Sequence, residues 1–203
     1  MVDREFDRKY GIDTGGLFTP GLRDASTQNW RQGNRYEAIH PETFLKALHG
    51  LRIEHQQFTF IDFGSGKGRA LLLAAGFPFR RVIGVEYVEK LNIIARQNVS
   101  RWRNITNNQN EIEIIGMDAC QFPIPEGPLL IYFYNPFTGA ILEKVIDNLT
   151  KSYQENPRPM IVLCFSPNHA GLFERVAFLK RDRNINIFAI YDSQVGTLPA
   201  VKV

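Results

Sequence analysis

Three carboxylates occupy matching places in the chain. Asp62 ends the apolar run Phe60-Ile-Asp62, Glu86 ends Arg81-Val-Ile-Gly-Val-Glu86, and Asp118 follows Ile114-Ile-Gly-Met117. After the first lies Gly64-Ser65-Gly66-Lys67-Gly68, where missing Cβ atoms permit a sharp turn and bring backbone N–H groups near a ligand. An anion at Asp62 repels a pyrophosphate and attracts an ammonium group. Glu86, 18 residues after Gly68, is placed to accept hydrogen bonds from two ribose hydroxyls. Asp118 offers an acceptor to an exocyclic ring amine, with Met117 and Ala119 as ring neighbours.

Two rival phosphate-binding patterns fit poorly. The dinucleotide fingerprint needs Gly or Ala where the chain has Arg69, although a nicotinamide cofactor would use an acid placed like Glu86. A nicotinamide-dependent oxidoreductase therefore stands as the alternative, opposed by Arg69. A P-loop needs Ser or Thr after its Lys and a Gly upstream, whereas Gly68 follows Lys67 and Ile61 holds the earlier position. A glycine turn or a post-strand acid taken singly is often only a turn or a cap; the common register of all three acids argues for a site.

The flanking patterns predict the scaffold. Strands are expected at Phe58–Phe63, Arg81–Glu86, Glu111–Gly116, Pro128–Tyr134 and Met160–Phe165. Helices are expected from Pro41 (Phe44, Leu45, Leu48, Leu51), at Arg69–Ala75, through Val88, Leu91, Ile94, Ala95, Val99 and Trp102, and through Ile141, Leu142, Val145, Ile146 and Leu149. This alternation builds parallel βαβ units. Phe173–Leu179 and Ile185–Tyr191, separated by Lys180–Asn184, are too close for a crossover helix and predict a closing antiparallel hairpin. Residues 1–40 show little periodicity and read as an extended lead-in to one domain spanning 41–203, with Asp13-Thr14-Gly15-Gly16 and Tyr36 as a candidate lid.

Composition narrows the partners. With 44% hydrophobic and 22% charged residues the chain is globular, and a net charge of +3 lacks the dense basic footprint of a duplex-binding protein, which disfavours a nucleic-acid partner. Arg80-Arg81 and Arg101-Trp102-Arg103 read as solvated faces. Cys120 and Cys164 lack further ligands at zinc spacing, so neither a metal site nor a disulfide framework is indicated. The charged start, without a signal-like or membrane-spanning run, predicts a cytoplasmic protein with no membrane partner. A core stripe and an interface stripe look alike in sequence, so no oligomeric state is predicted.

A second cluster, Tyr132-Phe-Tyr-Asn135-Pro-Phe137, falls at the end of the fourth strand, where open α/β sheets bind ligands. Asn135 can accept a hydrogen bond from an amine, and Phe137 can wall that nitrogen by apolar or cation–π contact. The competing reading is an Asn-Pro turn ending a buried strand. His40 and His169 are candidate bases that read more simply as a cap and a surface residue.

Phe60–Gly68, Val82–Tyr87 and Gly116–Ala119 resemble the first three motifs of class I S-adenosylmethionine-dependent methyltransferases, and the resemblance covers residues 40–195. Asp13-Thr14 is placed as in uncharacterised bacterial methyltransferase-like proteins. The resemblance implies a Rossmann-like fold with a mostly parallel seven-stranded sheet, an antiparallel last strand and helices on both faces. It further implies S-adenosylmethionine as cofactor: Asp62, Gly64, Ser65, Gly66 and Gly68 hold the methionine end, Glu86 with Tyr87 the ribose, and Asp118 with Ala119 the adenine. Asn135-Pro-Phe137 resembles the Asn/Asp-Pro-Pro-Tyr/Phe motif of amine and amide N-methyltransferases, with one Pro instead of two. The expectation is therefore N-methylation of a protein side chain or a small amine by Asn135 and Phe137. A non-catalytic S-adenosylmethionine-binding protein is the third reading.

Overall fold

Short apolar runs become strands here because helices cover both faces of the sheet they form. The structure, a computed structural model, describes residues 2–18, 34–137, 139–165 and 170–195. Its strands are β1 (Thr59–Phe63), β2 (Arg81–Glu86), β3 (Ile112–Gly116), β4 (Leu129–Tyr134), β5 (Met160–Phe165), β6 (Lys180–Ile185) and β7 (Phe188–Asp192). They form one seven-stranded sheet in the order β3-β2-β1-β4-β5-β7-β6. β1 to β5 pair in parallel, and β7 lies antiparallel between β5 and β6. The mixed sheet expected from the sequence is present.

The helices are α1 (Val2–Tyr10), α2 (Pro41–Gly50), α3 (Arg69–Ala74), α4 (Glu89–Thr106) and α5 (Gly139–Glu155). Phe44 and Leu48 of α2, Leu71 and Leu72 of α3 and Trp102 of α4 bury one face with Phe60, Leu130 and Tyr132. On the other face, Ile141, Leu142, Val145 and Leu149 of α5 pack with Ile61, Ile131 and Phe133. Alternate residues of β1 and β4 thus enter different cores, as the period-two geometry of a strand demands. The chain leaves β1 towards β2 and leaves β4 towards β5. Their end loops diverge there, and this switch point opens a crevice at the carboxyl edge.

Two expectations are corrected. The lead-in is not extended at its start: α1 forms because Phe6 and Tyr10, one turn apart, share a face that packs on Trp102, with ring centroids 6.0 and 4.4 Å away. The hairpin is also shifted. Phe173 lies in a 3-10 helix (Ala170–Arg175), and Lys180–Asn184, expected as the loop, belongs to the edge strand β6 (Lys180–Ile185). Its polar run Lys-Arg-Asp-Arg-Asn suits an edge, where charges discourage pairing with another chain. The turn is two residues long, and Asn186 takes φ 54°, which Asn tolerates better than most residues.

Candidate cofactor and acceptor site

The carboxyl edge carries a cleft of about 930 Å³ counted out to its open mouth. Asp62, Glu86 and Asp118 all border it, as do Gly64, Ser65, Tyr87 and Ala119. Each acid follows from its strand. Asp62 is the penultimate residue of β1, Glu86 the last of β2, and Asp118 lies two residues past β3.

Glu86 organises the glycine turn. One carboxylate oxygen accepts from the Gly66 amide at 3.0 Å, and the other from the Val88 amide at 2.9 Å. The Gly66 N–H therefore serves the protein rather than facing a ligand, contrary to the simplest reading of a glycine loop. The Tyr87 amide draws on the same carboxylate, whose four lone-pair sites still leave acceptor capacity for a hydroxyl. Asn92 of α4 supports the same corner by donating to the Glu86 carbonyl at 2.9 Å. Asp118 accepts from the Cys120 amide at 2.9 Å and thereby caps a 3-10 turn at Ala119–Gln121.

Burial shapes the charge. Asp62 is 4% exposed and Glu86 6% exposed. Loss of water pushes the Asp62 carboxyl well above its ordinary value, and the nearby Glu86 carboxylate pushes it further. Glu86 is raised by burial, against the opposing pull of the Val88, Gly66 and Tyr87 amides. Two buried acids close enough to repel each other favour a positively charged ligand, which would relieve both the desolvation and the mutual repulsion.

The glycines have a second purpose. Gly64 and Gly66 take φ 80° and 53°, and each also lies under another segment. A Cβ at Gly64 would collide with Pro136, and one at Gly66 with the Tyr36 ring. The bare turn thus leaves room for the loop after β4 and for the lead-in to pack directly on it. Gly68, φ 85°, starts α3; neither it nor Gly66 borders the cleft.

The lead-in is fastened at both ends. The Tyr36 hydroxyl donates to the Thr14 carbonyl at 2.6 Å. Asp7 accepts from the Thr14 hydroxyl at 2.5 Å and amide at 2.9 Å, and from the Gly15 amide at 2.7 Å. Arg69, 2% exposed, donates to Thr14 Oγ1 at 2.8 Å and the Ile39 carbonyl at 3.2 Å. Sequence reasoning treated Arg69 only as the residue that breaks a fingerprint and missed this role. Asn98, a polar residue inside the apolar stripe of α4, exchanges hydrogen bonds with the Asp13 backbone at 2.9 and 2.8 Å. That misplaced polarity was the available signal.

Asn135 and Phe137 also border the cleft. Asn135 has φ 47° and donates its amide to the Phe165 carbonyl at 2.7 Å, so it does turn the chain after β4. Its Oδ1 accepts from Asn34 Nδ2 at 3.2 Å, and the Asn34 amide donates to the Pro136 carbonyl at 3.0 Å. Phe137 is 8% exposed and meets Phe133 edge-on at 6.2 Å. His40 precedes α2 without a side-chain cap bond, and His169 lies outside the described residues. Both cysteines are free, and burial pushes the Cys120 and Cys164 thiols up to about 11 and about 12, where neither is a ready nucleophile.

Known proteins share this architecture at low identity. No family model matches the chain. A 113-residue stretch is 29% identical to the histone-lysine N-methyltransferase, H3 lysine-79 specific, of Drosophila melanogaster, covering 48% of this chain and 5% of that protein. A predicted N6-adenine-specific DNA methylase from Listeria monocytogenes superposes with TM-score 0.58 at 14% identity, over 76% of this chain and 51% of that one. Magnesium protoporphyrin IX methyltransferase from Synechocystis PCC 6803, solved with bound S-adenosylmethionine, gives TM-score 0.55 at 14% identity over 95% and 96%. The low-charge argument against a nucleic-acid acceptor finds no support in this set, which includes a DNA methylase. No helix among the described residues is long and apolar enough to cross a membrane. The chain has the Rossmann-like fold of the class I S-adenosylmethionine-dependent methyltransferases.

Proposed function

We propose that the protein binds S-adenosylmethionine and methylates a nitrogen of a protein side chain or small amine. The observation that carries this is the convergence of three acids from three successive strand ends on one cleft. The buried polar atoms and bare turn fit such a cofactor. Asp62 faces the ammonium, Glu86 accepts from the ribose hydroxyls with Tyr87 beside it, and Asp118 accepts from the adenine amine with Ala119 against the ring. When bound, the cofactor would supply an electrophilic methyl carbon, displaced from its sulfonium onto the acceptor nitrogen, which would give up its proton to solvent.

The protein's part is alignment and exclusion of water. Tyr36, tied to Thr14, leans over the glycine turn, and Asn34 ties the same segment to the loop after β4. Asn135 orients the incoming nitrogen and Phe137 gives it an apolar wall. The Drosophila relative's name specifies a lysine amine, which supports nitrogen as the acceptor atom. One observation favours the second reading, cofactor binding without transfer: Asn135 Oδ1 is already engaged by Asn34.

The test incubates the purified protein with methyl-labelled S-adenosylmethionine and fractionated extract, then identifies the labelled species. Label on an amine or amide supports the proposal. Cofactor binding without label in any fraction supports the second reading, and binding of NAD but not S-adenosylmethionine overturns both.

A further inference from the structure

Two buried hydroxyls bordering the cleft have no hydrogen-bond partner among the described residues, Tyr132 Oη and Ser65 Oγ. A buried hydroxyl left unpaired is costly, so two of them on the cleft lining that also carries Asp62 call for an explanation. Tyr132 is the register partner of Asp62 across β1 and β4, which puts both side chains on the same face of the sheet. Ser65 lies three residues past Asp62 in the glycine turn. Tyr132 is 1% exposed, and its ring is held by Phe44 and Phe60 at 5.1 and 5.9 Å, so the hydroxyl is aimed by packing.

The chemistry of the ligand's amino-acid end matches this arrangement. An α-amino acid presents an ammonium, which needs an acceptor, and an adjacent carboxylate, which needs donors. Asp62 is an acceptor, and the hydroxyls are donors. Resting on the cofactor reading above, we infer that Tyr132 and Ser65 complete a zwitterion subsite with Asp62, donating to the carboxylate of the methionine moiety while Asp62 takes its ammonium. Tyr132 is the new element: its sequence context put it in the candidate acceptor segment ending at Phe137 and gave it no role toward the cofactor.

The subsite is tested with Tyr132→Phe and Ser65→Ala in the full chain, by calorimetric titration of S-adenosylhomocysteine and of methylthioadenosine, which lacks the amino-acid end. Tyr132→Phe should weaken S-adenosylhomocysteine binding roughly tenfold, the loss of one hydrogen bond to a charged group, and leave methylthioadenosine binding unchanged. Its melting temperature should stay level or rise, because an unpaired buried hydroxyl is removed. Ser65→Ala should show the same ligand selectivity. Unchanged S-adenosylhomocysteine affinity in Tyr132→Phe, equal losses for both ligands, or a lower melting temperature with unaltered binding overturns the inference. If the wild-type protein binds neither ligand, the cofactor reading itself falls.

Discussion

The wall of the cleft formed by β1, β2 and β3 contrasts with the wall formed by residues 34–39 and the end of β4. The first is built by side chains bonding to backbone amides close by in the sheet, Glu86 to Gly66 and Val88 and Asp118 to Cys120. The second is assembled from distant segments: Asn34 meets Asn135 101 residues away, and Arg69 meets Thr14 55 residues away. Under the proposed function the first wall is the fixed receptor for the cofactor, and the second, which depends on the lead-in staying docked, is the surface that admits and then encloses the acceptor.

The sharpest way to break the contrast is at Glu86. Glu86→Ala removes up to two ribose hydrogen bonds, each roughly 1.5–3 kcal/mol to a charged acceptor, and should weaken S-adenosylhomocysteine binding more than about a hundredfold. A folded variant that binds normally in calorimetry would refute the assignment.

Gly66→Ala joins the two walls in one measurement. The φ of 53° and the Tyr36 collision should together cost about 2 kcal/mol of stability. In a thermal-unfolding double-mutant cycle, Tyr36→Ala should recover the steric part; strict additivity would mean that the two segments do not press on each other.

The raised Asp62 and Glu86 carboxyls make binding pH-dependent. Each holds its proton to higher pH in the folded protein than in the unfolded chain, so both lower the free protein's stability as pH rises from the ordinary carboxylate range to their elevated values. A cationic ligand favours their charged forms. Affinity for S-adenosylmethionine should therefore rise over that window, by at most about tenfold per pH unit for each proton displaced. Flat affinity from acidic to neutral pH would show that neither acid faces the cation.

The smallest effect should come from the second wall. Asn135→Ala should leave cofactor affinity unchanged and slow labelled methyl transfer roughly fivefold, the value of one neutral hydrogen bond. Unaltered turnover would reduce Asn135 to its turn after β4.

Most of the first wall was legible in the chain. Strand-ending acids and positive-φ glycines are local features, and Arg81–Glu86 and Met160–Phe165 have the strand bounds expected from their apolar runs. Where local pattern misled, a long-range partner was responsible. Phe6 and Tyr10 gave too little periodicity to mark α1 because the surface they bury against, Trp102, lies far along the chain. Lys180–Asn184 has the composition of a loop, and only its pairing with β7 makes it an edge strand.

By itself, then, the sequence determined the βαβ alternation, the closing antiparallel pair and the three acids, because each depends on periodicity or on the residue type at a strand end. Only the tertiary structure decided that Arg69 clamps Thr14 and Ile39, that Gly64 and Gly66 yield space to Pro136 and Tyr36, and that Tyr132 brings to the face bearing Asp62 a hydroxyl with no partner among the described residues. Those facts arise from contacts between residues far apart in the chain, and the energy of such a contact depends on burial and register that no local window of residues contains.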